Sequence, residues 1–281
     1  IVVPDEPEWK ILANGLQHII KEKTNLIAEI SYPDQMKFVN GWAGNTIMLG
    51  NLGNNKQMAR LYGMRLSYAD AIYPGKSGYQ LATLIDPFGL GGNTIMIGAS
   101  DITGAKLGTE RLINIIINQK ESSVPWLLEV NIPAITGIYF NAKLTNEDAL
   151  LAAMKPVKEN EVIADALLAV LSGIKSFGEY YQLSAKPEFG DTYKKLVLGY
   201  ASFVDKYPSE AIYQLGVRKN MWIQGEKLLQ NWSFIEGSSL FSDAERGKIV
   251  SALLINVCLS NDKIACCNPK PKTLSTPALF I

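Results

Sequence analysis

Two stretches of this sequence gather side chains suited to holding a ligand. After Gly50 the chain runs Asn51-Leu52-Gly53-Asn54-Asn55, and after Gly98 it runs Ala99-Ser100-Asp101; each is a polar loop between an apolar, β-prone run and a helical pattern. Asn51, Asn54, Asn55 and Ser100 therefore stand where a helix N-terminus faces the end of a strand, a position whose free amides and dipole attract anions. The same residue types also cap helices and form turns, and Gly50-Asn51-Leu52-Gly53 lacks the full dinucleotide fingerprint. A structural role is the simpler reading of both loops. In the second stretch, Trp222, Glu226, Trp232 and Glu236 recur at near-helical spacing. Indole faces stack on sugar rings and carboxylates accept hydrogen bonds from hydroxyls, so this set is the candidate substrate-binding surface for carbohydrate. The competing reading packs both tryptophans between helices and leaves both glutamates in solvent.

The remaining reactive side chains assemble no catalytic set. His18, the single histidine, falls on the polar side of a helix beside Asn14, Lys21 and Glu22 and is expected to be solvated. One histidine excludes a multi-histidine metal site. Asp70, Asp86 and Asp101 have local tasks as a helix end, the start of a turn and a helix cap. Tyr180 and Tyr181 are helical aromatics of the kind that pack cores. Cys258, Cys266 and Cys267 form no Cys-x-x-Cys pair, and neighbouring cysteines seldom bridge, so neither a disulfide framework nor a zinc site follows. No metal and no cofactor is predicted. Asn231-Trp232-Ser233 matches a glycosylation acceptor, a short motif that is usually fortuitous.

A heptad written twice organises the first half. Gly44-Asn45-Thr46-Ile47-Met48-Leu49-Gly50 returns as Gly92-Asn93-Thr94-Ile95-Met96-Ile97-Gly98. A four-residue apolar run with β-branched residues at its start, bounded by Gly and Asn, suits a strand buried on both faces. After the first copy, Met58, Leu61, Tyr62, Leu66 and Ala69 follow at helical spacing; after the second, Ile102, Ala105, Thr109, Leu112, Ile113 and Ile116 do the same. Strands are also expected at Ile1–Val3, Leu26–Ile30 and Tyr79–Ile85, and a helix with the apolar face Trp9, Leu12, Leu16, Ile19 and Ile20 follows Pro7. Turns at 73–78 and 86–89 make the third of these strands a hairpin with the second repeat. From about Val124, Pro125 and Pro133 interrupt the chain and no alternating strand follows. Helices are then expected near 145–156, at Ile163–Phe177, at Tyr193–Val204, from Ala211 to about Ile235, and after a capping box at Ser242-Asp243-Ala244-Glu245. The predicted division is an α/β domain at 1–123, a small mixed sheet flanked by helices; an all-α domain of antiparallel helix hairpins at 124–260; and an irregular tail at 261–281.

Composition sets the outer limits. With 281 residues and 47% hydrophobic content the chain can build one large or two ordinary cores. Its 27 basic residues balance 27 acidic ones, so net charge supplies no reason to expect nucleic acid or an anionic membrane as partner. No apolar run approaches the length of a membrane span. The chain opens on Ile-Val-Val without a charged n-region and long apolar h-region, and its compartment is open on this evidence.

The stretch from Trp42 through Leu52-Gly53-Asn54-Asn55, Ala59-Arg60-Leu61-Tyr62, Tyr68-Ala69-Asp70, Tyr73-Pro74-Gly75, Gly78-Tyr79 and Asp86-Pro87-Phe88-Gly89 to Gly98-Ala99-Ser100-Asp101 resembles a known domain. It looks like the N-terminal α/β domain of large bacterial heparinase II/III-like and alginate-lyase-like proteins. Similar small α/β domains precede the catalytic domains of some α-glucuronidases and hexosaminidases. Trp222-Ile223-Gln224-Gly225-Glu226, Trp232, Glu236 and Phe241-Ser242-Asp243-Ala244-Glu245-Arg246 resemble the opening hairpins of the (α/α) toroid that follows it. Together these cover most of residues 1–258.

The resemblance implies a secreted or periplasmic protein of polysaccharide-lyase type that meets an acidic polysaccharide. Such lyases abstract the proton α to a uronate carboxylate with a tyrosine or histidine base, while asparagine, histidine or arginine neutralises the developing charge. This chain departs from that pattern: it carries about five helices where a toroid needs roughly twice as many, and no histidine after His18. No catalytic residue is carried over, and the helical half is expected to be an incomplete toroid. The expected role is binding or structural, with homo-oligomerisation through uncovered helix faces. A non-catalytic protein-interaction scaffold is the main alternative, and a nucleotide- or phosphate-binding α/β protein using the two Gly/Asn loops is a third.

Overall fold

The computed structural model describes residues 1–34, 44–119, 123–133, 147–154, 162–207 and 228–254, with the side chains of 162–165 excepted. Two compact units divide it: Ile1–Tyr139 with Leu183–Ala185, and Phe140–Gln182 with Lys186–Ile281.

The first unit opens with α1 (Pro7–Thr24). Pro7 in the first turn has its φ preset for a helix and no amide to leave unsatisfied. Glu8 at the start and Lys21 and Lys23 at the end match the helix dipole, and Asn25 in the left-handed region closes the last turn by donating to the Lys21 carbonyl. Trp9, Ala13 and Leu16, spaced along one face, are buried. Then come β1 (Thr46–Gly50), α2 (Lys56–Gly63), β2 (Tyr79–Leu84), β3 (Thr94–Ala99), α3 (Ile102–Asn118) and β4 (Leu128–Asn131).

The four strands form a mixed sheet in the order β1-β3-β2-β4. The two copies of the heptad lie side by side as parallel neighbours in register, from Thr46 opposite Thr94 to Gly50 opposite Gly98. β2 runs antiparallel to β3 and to β4, as the predicted hairpin requires. Leu49, Leu81, Ile97 and Ala99 face one side, where Trp9, Ala13 and Leu16 of α1 and Ala105, Leu112 and Ile115 of α3 complete one core. Alternation sends Met48, Met96 and Gly98 to the other side. There a Cβ added at Gly98 would stand 2.6 Å from that of Ala69 and 3.5 Å from the Met58 methyl, so α2 and the chain after it cover this face. The helices that follow the two parallel strands thus lie on opposite faces, which makes the gap between the ends of β1 and β3 a topological switch point.

Four sequence expectations change. The helical pattern expected from Met58 to Ala69 ends at Gly63, so Leu66, Ala69 and Asp70 lie beyond α2 and Asp70 is not a helix end. The α/β unit runs past residue 123, because Leu128–Asn131 does form a strand: Pro125 and Pro133 flank it without interrupting it, and residues 80–82 pair with 128–130. Leu26–Ile30 forms no strand, since Leu26 and Ile27 are each 69% exposed and have no face to bury. The first residues contribute bridges in place of a strand, with Val2 paired to Met48 on one side and to Ser31 on the other.

The described residues of the second unit are helical, with α4 (Glu147–Ala153), α5 (Val162–Ser184), whose last two residues belong to the first unit, and α6 (Pro187–Lys206). Residues 228–235 form α7 and residues 243–254 form α8. Helices pair through specific contacts. A Cβ at Gly199 of α6 would meet the Leu151 side chain of α4 at 2.4 Å, and Asn231 of α7 donates to the Lys175 carbonyl of α5 at 2.9 Å. Lys248 of α8 reaches the Ser202 hydroxyl of α6 at 2.9 Å. Paired helices are therefore present, and a toroid is not shown. The predicted helix from Ala211 coincides with the described residues only over 228–235; its earlier part and the tail at 261–281 lie outside them.

The capping box forms as the sequence indicates. The Ser242 amide donates to the Glu245 carboxylate at 2.8 Å and the Glu245 amide donates back to the Ser242 hydroxyl at 3.3 Å. Lys194 of α6 adds an ion pair at 3.0 Å. These bonds, the Ser242 amide first and Lys194 next, hold the Glu245 carboxyl below its ordinary value. A depressed carboxyl stabilises the fold above its unfolded pKa, and the contribution disappears as pH falls through the folded one. Urea midpoints measured down the acid limb should accordingly fall less steeply in Glu245→Gln than in the parent chain; identical limbs would remove the carboxylate from the account.

Candidate functional site

Among the described residues, predicted ligand-holding residues converge at the switch point at the ends of β1 and β3. Asn51 is buried, and its side-chain amide donates to the Ala99 carbonyl at 2.8 Å, closing the gap between the two strands. Its oxygen accepts from the amides of Gly53 at 2.8 Å and Asn54 at 3.2 Å. Asn54 answers by accepting from the Asn51 amide at 2.8 Å. Asn55, 1% exposed, caps α2 by accepting from Gln57 and Met58, and donates to the Leu49 carbonyl at 2.7 Å. Gly50 makes the turn into this loop at φ 129°, where a Cβ would also stand 2.8 Å from Asn54 and Asn55.

The β3 loop is held from the other direction. Ser100 accepts from the Gly75 amide at 2.9 Å, and the two oxygens of Asp101 accept from Gly104 at 2.8 Å and Ser77 at 2.9 Å. Asp101 is thus the cap of α3 and an anchor for the 73–78 turn at once. Asp70 organises the same turn by accepting from the amides of Ile72 and Tyr73 and from the Tyr62 hydroxyl. The Leu52 amide donates to the Ala69 carbonyl at 2.9 Å. Spacing had marked the loop residues and the capping role of Asp101, but nothing local announces that the 73–78 turn docks on Ser100 and Asp101, some 24 or 25 residues away.

This geometry bears directly on anion binding. An anion at a helix N-terminus needs amides that are free to turn toward it. Here Gly53, Asn54, Gln57, Met58 and Gly104 already donate to side chains of the chain itself, and the α3 terminus carries the Asp101 carboxylate. The loops are occupied by their own caps.

Removing Asn51 should therefore be felt as stability. An Asn51→Ala chain loses one donor and one acceptor in a buried loop and leaves the Ala99 carbonyl without this partner. Urea unfolding should show a loss of about 2 kcal/mol, the scale of a broken buried network or lost cap. A change under roughly 0.5 kcal/mol, typical of ordinary surface sites, would show that solvent replaces the asparagine and that it does not tie the strands.

The second candidate set is divided. Trp222 and Glu226 lie outside the described residues. Trp232, 5% exposed, stands edge-on to Phe241 with ring centroids 5.3 Å apart, and Phe241 in turn meets Tyr193 at 6.2 Å. The indole is enclosed in the helical core. Glu236 closes α7 with its amide donating to the Trp232 carbonyl at 2.8 Å. Partial burial raises its carboxyl pKa, while Arg246 acts in the opposite sense. Arg246, which sequence spacing had not singled out, clamps the end of α7 by donating to the Glu236 and Ser238 carbonyls and to Asp243.

The other reactive groups among the described residues have local partners; Cys258, Cys266 and Cys267 lie outside those residues. His18 is exposed beside Glu22 at 3.3 Å. Asp86 accepts from Leu90 and Gly91 in its turn. Tyr180 packs near Phe177 and Phe189, and burial raises the Tyr181 phenol. Asn231 is buried in α7, with its oxygen accepting from Gln182 and its nitrogen donating to Lys175, so the folded chain cannot present it for glycosylation. Among the described residues no cluster of His, Cys, Asp or Glu suits a metal, and no helix is long and apolar enough to cross a membrane.

No protein-family model, curated protein or solved structure matches the chain.

Proposed function

We propose that this chain is a portion of a carbohydrate-active protein of polysaccharide-lyase type, and that it serves as framework or weak binding surface for an acidic polysaccharide and supplies no catalytic base. The family part of this reading rests on the sequence resemblance. Its functional part is carried by one observation: the residues that make the resemblance in the first unit bond to one another. Leu52 to Ala69, Asp70 to Tyr73, and Gly75 to Ser100 tie the ends of the sheet into one interlocked loop cluster, which Asn51 outside that set joins through Ala99. Residues bonded to one another in this way are explained by the fold they hold, without a substrate. Engagement of the Gly53, Asn54, Gln57, Met58 and Gly104 amides by the chain's own side chains likewise weighs against the nucleotide or phosphate reading.

The test is incubation with a panel of uronic-acid polysaccharides, following absorbance at the unsaturated-uronate band and, in parallel, binding by calorimetry. A framework role gives no new absorbance and weak or no heat from protein shown to be folded. Accumulation of unsaturated product would overturn it and place a base within these residues.

A further inference from the structure

We draw no further inference here: the strongest candidate, the shallow groove between α6 and α8 lined by Val204, Asp205, Gly247, Lys248 and Ser251, is an unpartnered surface, and nothing in the structure shows what covers it.

Discussion

Replacing Gly104 with alanine should cost roughly 3 kcal/mol of stability, at the upper end of what overpacking a well-packed interior costs. In the first turn of α3, a Cβ at this position would lie 2.0 Å from the Gly78 carbonyl oxygen and 2.9 Å from its carbon. The obstacle is backbone, so no rotamer change relieves it; α3 must move away from the end of β2. That movement strains the Asp101 cap one turn earlier and, further along, the Arg111 guanidinium that grips Glu129 on β4 through two bonds of 2.6 Å. Gly15 in α1 provides the control, since nothing lies within 4 Å of its added Cβ. There alanine should stabilise by about 0.5–1 kcal/mol through helix propensity. Urea unfolding followed by circular dichroism reads both. If Gly104→Ala unfolded at the parent midpoint, the close approach of α3 to Gly78 would not exist in solution.

Trp232→Ala should destabilise by roughly 3–5 kcal/mol, the usual cost of deleting a large buried aromatic. The ring is 5% exposed and bridges α7 to Phe241, which also touches Tyr193 of α6. Its loss opens a cavity at the point where Lys194, donating to the Leu240 carbonyl at 2.6 Å, holds the chain between α7 and α8. Trp232→Phe should recover most of the loss because it keeps an aromatic edge in the same space. Titration with uronic-acid oligosaccharides separates packing from ligand contact. Undiminished stability together with abolished binding would return the indole to the role of a sugar platform.

Periodicity makes much of the fold legible in the sequence. The heptad copies are β1 and β3, the helical face after the second is α3, that after the first is α2 only as far as Gly63, and the capping box opens α8 as its residues require. What stayed hidden was long-range. Leu128–Asn131 is too short to declare itself between two prolines, and it is a strand because β2 offers it an edge. The 3.6-residue period that placed Trp232 and Glu236 near one another could not say which side of α7 the rest of the unit would cover. For the candidate site, local chemistry reveals that Asp101 caps a helix and that one of the loop asparagines can cap the other, because caps act within three residues; that it is Asn55 comes from the structure. Ser77 and Gly75 meet their acceptors only after the chain has turned back, and no spacing encodes that.

The register of the two heptads also sets a hazard. Thr46–Gly50 recognises Thr94–Gly98 as a parallel neighbour, residue opposite residue, so the chain carries a segment and its own near-copy as complementary edges. Within one molecule β3 is protected by β1 and β2, and the outer edge of β1 is closed by the backbone of Val2, which donates to Ile47 and accepts from Leu49. Both copies are β-prone, uncharged and free of proline, the composition of segments that stack between molecules once their edges are bare. The bridge at Val2 is thus what covers this edge, and loosening it would bare the edge of β1 for pairing with another strand.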